Sequence, residues 1–215
     1  MIDVKFPTGK VWQIRSPVVV RQMQAEYVDA FFLDGSLRLS SFKSFRDHPD
    51  ERRRDQGEGK TVMEISERDG MLSVLGMSGS PAYIICASSE ESQERTPVGQ
   101  ARLRILDTVR FADAVSRCVP GFDWGTEGPC VYRQDTVLRK KGNRPLAPPT
   151  NGKDIERWFR EQDRYVGQHA VDGFFLKHID FVHEAEYRFI WFATGEPLAF
   201  VDIKCPAARE YCQRV

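Results

Sequence analysis

The chain lacks the features by which several classes of protein are recognised in a sequence. Its 215 residues include 31 basic and 31 acidic side chains, so the formal net charge is zero. A balanced chain has no overall positive field to attract nucleic acid. Its longest apolar runs, such as Val18–Val20 and Tyr83–Ala87, are far too short to cross a bilayer. We therefore expect neither a nucleic-acid-binding field nor a membrane partner.

Metal-binding and secretory signals are also missing. The five cysteines and four histidines are widely scattered, and no Cys-x-x-Cys pair or Cys/His cluster of the kind that zinc needs is present. The N-terminal residues MIDVKFPTGK show no secretion signal. The sequence therefore predicts no metal site, free thiols and a cytoplasmic protein.

The common catalytic and nucleotide-binding motifs do not occur. There is no phosphate-binding loop of the Gly-x-x-x-x-Gly-Lys type, no dinucleotide fingerprint after a strand, no His-Glu-x-x-His helix and no Gly-x-Ser-x-Gly elbow. Metal-independent chemistry, or chemistry in which a cofactor serves as substrate, is favoured over metal-dependent hydrolysis.

What is present indicates one α+β domain over residues 1–215. Helical periodicity predicts helices over Arg21–Leu33 and Asp154–Val166. Alternating or continuous apolar residues predict strands, chiefly Ser36–Phe42, Tyr83–Ala87 and Tyr187–Phe192. Hairpin-like neighbours outnumber strand–helix–strand repeats, which favours a curved, largely antiparallel mixed sheet flanked by helices. We expect those three strands to share one sheet, packed by the two helices.

The most informative segment is Phe181–Phe192, FVHEAEYRFIWF. If it is extended, Glu184, Glu186 and Arg188 point to one face, since side chains two residues apart do so. Two neighbouring carboxylates repel unless a cation or a hydrogen-bond donor faces them, so we expect a raised pKa or an arginine partner. The pair is either an exposed strand edge with Glu186 paired to Arg188, or a site for ribose hydroxyls or a developing cation.

Two further segments are candidate binding elements. The loop Arg53–Gly59, RRDQGEG, offers Arg54 for anions and Asp55 and Glu58 for hydroxyl groups; it is otherwise a salt-bridged turn. The apolar strand that ends in Ser88 and Ser89 offers hydroxyls to a ligand, or simply ends in a serine-type turn.

Taken together, these segments resemble an uncharacterised bacterial and phage family related to the AbiGi-type abortive-infection proteins. In that family a helix and a strand precede an Arg-x-Asp-x-x-Glu-Gly loop, a central strand ends near Cys and Ser, and a Glu-x-Glu-Tyr-Arg segment opens a late strand. The resemblance covers most of the chain through short motifs. It implies a role in phage defence or counter-defence.

The chain also resembles, more weakly, the ADP-ribosyltransferases that carry an arginine, a serine strand end and a Glu-x-Glu motif in that order. The residues here are Arg38 or Arg46, then Ser88 and Ser89, then Glu184 and Glu186. The resemblance implies NAD as substrate or ligand, with the arginine on the phosphates and Glu186 beside the ribose. The strand end departs from the family pattern, reading Ala-Ser-Ser where the family has Ser-Thr-Ser.

Three hypotheses follow. The first is an NAD-consuming, ADP-ribosyltransferase-like enzyme with Glu186 and Glu184 as catalytic residues and a protein or nucleic acid as acceptor. The second is a non-catalytic nucleotide-binding module that uses Arg38, Arg54, Asp55, Glu58, Ser88 and Ser89. The third is a protein-interaction module. The sequence sets no oligomeric state.

Overall fold

The computed structural model describes residues 3–5, 11–13, 17–47, 49, 57–66, 72–78, 82–89, 99–141, 154–158, 171–195 and 198–215. Helices accompany a large, open and mostly antiparallel sheet, which confirms the predicted α+β class. None of the described helices combines the length and the apolar character that crossing a membrane requires.

The described strands number fifteen. In chain order they are β1 Asp3–Lys5, β2 Val11–Gln13, β3 Val19–Gln24, β4 Ser36–Ser41, β5 Lys60–Ser66, β6 Leu72–Ser78, β7 Ala82–Ser88, β8 Gln100–Ile105, β9 Phe122–Pro129, β10 Val131–Arg133, β11 Val137–Lys141, β12 Leu176–His178, β13 Glu186–Ala193, β14 Phe200–Lys204 and β15 Cys212–Arg214. The helices are α1 Ala25–Asp34, α2 Phe42–Arg46 and α3 Thr108–Ser116, with 3₁₀ helices at Ile179–Glu184 and Pro206–Tyr211. Residues 154–158 and 171–173 are also helical.

The main sheet has eight strands and is split on one side of its central strand, β7. Along one edge of β7, β13 pairs over the full length, and β9 lies beyond it. Along the other edge, β4 pairs with Ile84 and Tyr83, whereas β3 pairs only with Ser88. Strands β3 and β4 therefore diverge from opposite ends of one edge. Strand β14 continues the sheet beyond β4, and β8 and β15 continue it beyond β3.

The predicted strands Ser36–Phe42, Tyr83–Ala87 and Tyr187–Phe192 all lie in this sheet, as expected. The predicted start of the first helix was wrong, because residues 21–24 belong to β3 and α1 begins at Ala25. The run VVVRQMQ is rich in β-branched residues, and the helix has no side-chain cap at its N-terminus. Residues 154–158 of the second predicted helix are helical, and its remainder lies outside the described residues.

The two faces of the main sheet carry separate apolar clusters. The larger cluster packs α1, α3 and the Pro206–Tyr211 helix against one face, with Phe31, Phe111, Phe189 and Trp191 among its members. The smaller cluster covers the other face with Phe42, Phe174, Ile84, Ile190 and Phe192. Because both faces are covered, β13 is buried over seven of its eight residues.

Smaller sheets accompany the main one. Strands β5 and β6 pair antiparallel, as the Asp69–Gly70 turn signal predicts, although the turn itself lies outside the described residues. Strand β11 joins β5 in parallel, and β10 pairs in parallel with β12. The mixture of pairings confirms the prediction of a mixed, largely antiparallel arrangement.

Gly35 ends α1 at a position that glycine alone suits. Its φ of 81° is left-handed, and its N–H donates to the Phe31 carbonyl oxygen at 2.8 Å. A Cβ atom at this position would lie 2.4 Å from the carbonyl carbon of Cys205. The turn into β4 therefore needs both the φ and the space of glycine.

We expect Gly35→Ala to lower the free energy of unfolding by at least about 2 kcal/mol, because strain and a backbone clash add. The matched control is Gly195→Ala: its φ is 90°, but among the described residues no atom other than those of its chain neighbours lies within 4 Å of the added Cβ. The control should lose about 1 kcal/mol, from φ alone. Urea unfolding measures both variants, and equal losses would contradict the clash.

Candidate functional site: a buried ion chain beside a basic cleft

The first candidate element is Glu186, which opens β13. The residue is only 4% exposed, and its N–H donates to the Tyr132 hydroxyl at 2.6 Å. In the register of the sheet it lies directly opposite Ser88. The late carboxylate motif and the serine strand end, which are 98 positions apart in the sequence, are therefore neighbours.

The expectation that Glu184, Glu186 and Arg188 share one extended face was wrong for Glu184. That residue is the last of the Ile179–Glu184 3₁₀ helix, and Ala185 follows with a left-handed φ of 42°. Side chains alternate between the two faces of the strand only from Glu186 onward. The two carboxylates nevertheless meet at one amine, that of Lys177, whose nitrogen lies 2.5 Å from an oxygen of each.

Five charged groups form a continuous chain at the start of β13, which we call the ion chain: Glu184, Lys177, Glu186, Arg188 and Glu58. The Arg188 Nε lies 2.6 Å from Glu186 Oε1, and Arg188 Nη2 lies 2.7 Å from Glu58 Oε1. The Arg188 Nη1 donates to the Phe174 carbonyl oxygen at 2.6 Å. All members except Glu184 are buried.

The ion chain keeps Glu186 and Arg188 charged. Burial raises the pKa of Glu186, but the charges and hydrogen bonds of Arg188 and Lys177 outweigh it and lower that pKa to about 2. Burial lowers the pKa of Arg188, and the carboxylates of Glu58 and Glu186 more than reverse this. The predicted arginine partner is thus Arg188. A carboxylate held so firmly ionised is unsuited to exchanging a proton near neutral pH.

The remaining predicted residues divide between this site and elsewhere. Glu58 belongs to the ion chain, and both the Ser89 N–H and its hydroxyl donate to the Ala185 carbonyl oxygen. Arg46 donates to the Glu58 carbonyl oxygen at 2.8 Å, and thus anchors the turn that precedes β5. Arg54 and Asp55 lie outside the described residues.

Arg38 does not join the ion chain but lines a cleft of about 830 Å³. This cleft, called here the basic cleft, opens where β3 and β4 diverge, and α1, β8 and β14 complete its walls. The Arg38 guanidinium donates twice to Asp202, at 2.7 and 2.8 Å, and its centre lies 4.1 Å from the centroid of the Phe200 ring. Its side chain is about half exposed.

A second arginine in the cleft, Arg21, was missed in the sequence. Its Nη1 atom is buried and, among the described residues, has no hydrogen-bond partner. Burial lowers the pKa of the Arg21 guanidinium, and the nearby Cys86 offsets this in part. The signal in the sequence was a single cation within the strand-forming run VVVRQMQ. It was overlooked because a helix was predicted to begin at Arg21.

Cys86 connects the two candidate elements. It lies opposite Arg188 in the register of the sheet, and burial together with the Glu186 carboxylate raises the pKa of its thiol. The same thiol interacts electrostatically with Arg21. In the register of the sheet, Ser88 of β7 pairs with Glu186 on one side and with Val20, the residue before Arg21, on the other, and Glu186 does not line the cleft.

Comparison with known proteins does not assign the chain to a family. No protein-family model matches the chain, and no curated protein or solved structure matches it either. Among the described residues, no three His, Cys, Asp or Glu side chains form a group that could hold a metal ion.

Proposed function

We propose that the chain binds a nucleotide of the NAD class in the basic cleft, with its phosphates on Arg21 and Arg38. The observation that carries this proposal is the buried Nη1 of Arg21, which lacks a hydrogen-bond partner among the described residues. A buried charged donor left without an acceptor is costly, and an anionic ligand supplies that acceptor. Guanidinium groups suit phosphate because they donate two parallel hydrogen bonds.

The size and charge of the cleft also support the proposal. Its volume of about 830 Å³ is within the range of about 300 to 1,000 Å³ typical of small-molecule sites. Its charged lining residues are Arg21, Arg38, Lys204 and Asp202, and Lys204 pairs with Asp34 at 2.7 Å, which leaves Arg21 as the excess cation among the described residues. Asp202 engages only part of the Arg38 fork, which has five N–H donors. An excess of cations at a concave surface favours a phosphorylated ligand.

ADP-ribosyl transfer is a second candidate. In that reaction the bond from the ribose to nicotinamide breaks and its electron pair leaves with nicotinamide, while an acceptor bonds to the ribose and loses a proton. The position of Glu186 favours it, because Glu186 lies opposite Ser88, and Ser88 pairs in turn with Val20, the residue before cleft-lining Arg21. Binding without reaction is nevertheless better supported, since Glu186 is buried and already paired with Lys177 and Arg188.

Calorimetry with NAD and ADP-ribose tests the binding proposal. We expect wild type to bind and Arg38→Met to bind about tenfold more weakly, since a hydrogen bond to a charged group is worth about 1.5 to 3 kcal/mol. The matched control is Arg117→Met, directly after α3, where the exposed arginine pairs with Asp113 and does not line the cleft. Equal affinity of both variants would argue against phosphate contact at Arg38.

A nicotinamide-release assay on wild type and Glu186→Gln separates the hypotheses. Binding without release is the expected result and indicates a sensor. Release that Glu186→Gln abolishes, in a variant shown to be folded, would instead indicate a transferase or hydrolase, with a protein or nucleic acid as its acceptor. Neither binding nor release would favour a protein-interaction module. A role in phage defence depends on the sequence resemblance.

A further inference from the structure

Three carboxamide side chains lie together at one end of the basic cleft. Gln24 and Gln100 are directly opposite each other in the β3–β8 ladder, and Gln22 is two residues from Gln24 on the same face. All three line the cleft. The proposed phosphate contacts are made by Arg21 and Arg38 and do not involve these amides. The amides are therefore available to a different chemical group of the ligand.

Two of these amides are already joined in a way that leaves them able to bind further. The Gln22 Nε2 donates to Gln100 Oε1. Each carboxamide has two N–H donors and a carbonyl oxygen, so this bond leaves the Gln22 oxygen as an acceptor and the Gln100 NH₂ as a donor. The reversed orientation would leave the same pair of functions. The joined amides therefore present one acceptor beside one donor.

Resting on the proposal that the cleft binds a nucleotide, we propose that this amide pair recognises adenine. Adenine presents an amino donor at N6 beside the acceptor N7, and a carboxamide matches that edge with two hydrogen bonds. Guanine and hypoxanthine have a carbonyl oxygen at position 6 instead, which would face the amide oxygen. The ligand class is thus an adenine nucleotide.

Tyr27 on α1 supplies a surface on which the base can stack. Its side chain lines the cleft and the residue is 52% exposed. Aromatic rings stack with any nucleobase, because every base has a π-face. Tyr27 and Arg38 both line this cleft. The base and the phosphates would then occupy adjoining parts of one cleft.

The spacing of residues along β3 is consistent with separate sites for the base and for the phosphates. Arg21 and Gln24 are three residues apart, which is about 10 Å along a strand, and the odd spacing directs their side chains to opposite faces of it. A phosphate on Arg21 and a base at the carboxamides would therefore lie at separate points of the same strand.

Calorimetry with ADP, IDP, GDP and UDP on the full chain tests the inference. ADP and IDP differ at position 6 and in the proton that hypoxanthine carries on N1, and we expect ADP to bind at least about tenfold more tightly. Gln100→Met and Gln22→Leu should reduce that preference to less than about twofold while retaining diphosphate binding. The control Gln213→Met changes an exposed amide of β15 that does not line the cleft.

Different results would overturn adenine recognition and nucleotide binding. Equal binding of ADP and IDP, or a preference unchanged in Gln100→Met, would overturn adenine recognition and leave nucleotide binding standing. If none of the four diphosphates binds, both nucleotide binding and adenine recognition are overturned.

Discussion

Replacing Arg188 by methionine should lower the free energy of unfolding by about 3 to 5 kcal/mol, because breaking a buried ion pair leaves an uncompensated charge. Arg188 is only 1% exposed and contacts both Glu186 and Glu58. Methionine has similar length but offers neither carboxylate a partner. Glu58 would lose its Arg188 ion pair, and Glu186 would keep Lys177 as its ion-pair partner among the described residues.

The matched control is Arg38→Met, which removes an exposed arginine paired with Asp202. Exposed ion pairs contribute at most about 1 kcal/mol, so this variant should unfold almost as wild type does. Urea titrations at neutral pH compare the two midpoints. Similar losses for both arginines would show that burial of the ion chain does not determine its contribution.

The pKa of Glu186 determines how the stability difference between wild type and Arg188→Met changes with pH. The folded pKa of Glu186 is about 2 against an ordinary value of 4.5, so its ionisation stabilises the fold fully above about pH 4.5. That contribution is lost as the pH falls from about 4.5 to about 2. Without Arg188 the pKa of Glu186 moves upward, so the deficit of Arg188→Met relative to wild type should shrink over this range. A deficit that is constant with pH would contradict the assignment.

This sensitivity also bears on the nicotinamide-release assay. Glu186→Gln removes one carboxylate from between Lys177 and Arg188, so a loss of release could result from unfolding. Its unfolding midpoint must therefore be measured beside the assay. Loss of release in a folded variant is the outcome that supports catalysis.

The strands predicted from sequence were those whose side chains obey a simple pattern. Alternation in Ser36–Phe42 and the apolar run Tyr83–Ala87 reflect burial of one face or of both, so the pattern was sufficient. Strand β9, FDWGTEGP, was missed because it lies outside β13 and is largely exposed. Two glycines and a proline remove the usual strand signal, and neighbouring β13 supplies the pairing instead.

The site was predictable only where its parts were close in sequence. The pairing of Glu186 with Arg188 follows from a period of two and was one of the two alternatives predicted, there as an exposed strand edge, whereas the structure buries both residues. Lys177 was missed, because the left-handed Ala185 and a 3₁₀ helix bring it back to Glu186, and no local pattern signals that return. The basic cleft arises from the divergence of β3 and β4, which is a property of long-range pairing.

Arg21→Met should raise the stability of the ligand-free protein and weaken nucleotide binding at once. The Nη1 of Arg21 is buried with no hydrogen-bond partner among the described residues, and burial lowers the pKa of the group. Removing an unsatisfied buried donor should add about 1 to 2 kcal/mol to the free energy of unfolding. The same change removes the proposed phosphate contact, so affinity for ADP-ribose should fall about 10- to 100-fold.

Opposite signs in the two measurements distinguish a ligand-binding arginine from a structural one. An arginine that only supports the fold would lose stability on replacement, as Arg188 should. Arg21→Lys is the matched control, because it keeps the charge but cannot donate the parallel pair of hydrogen bonds; its affinity should lie between those of wild type and Arg21→Met. Thermal unfolding with and without ADP-ribose reports both effects, since a ligand stabilises only a form that binds it. An Arg21→Met protein that is less stable than wild type and still gains stability from ADP-ribose would place the phosphates elsewhere.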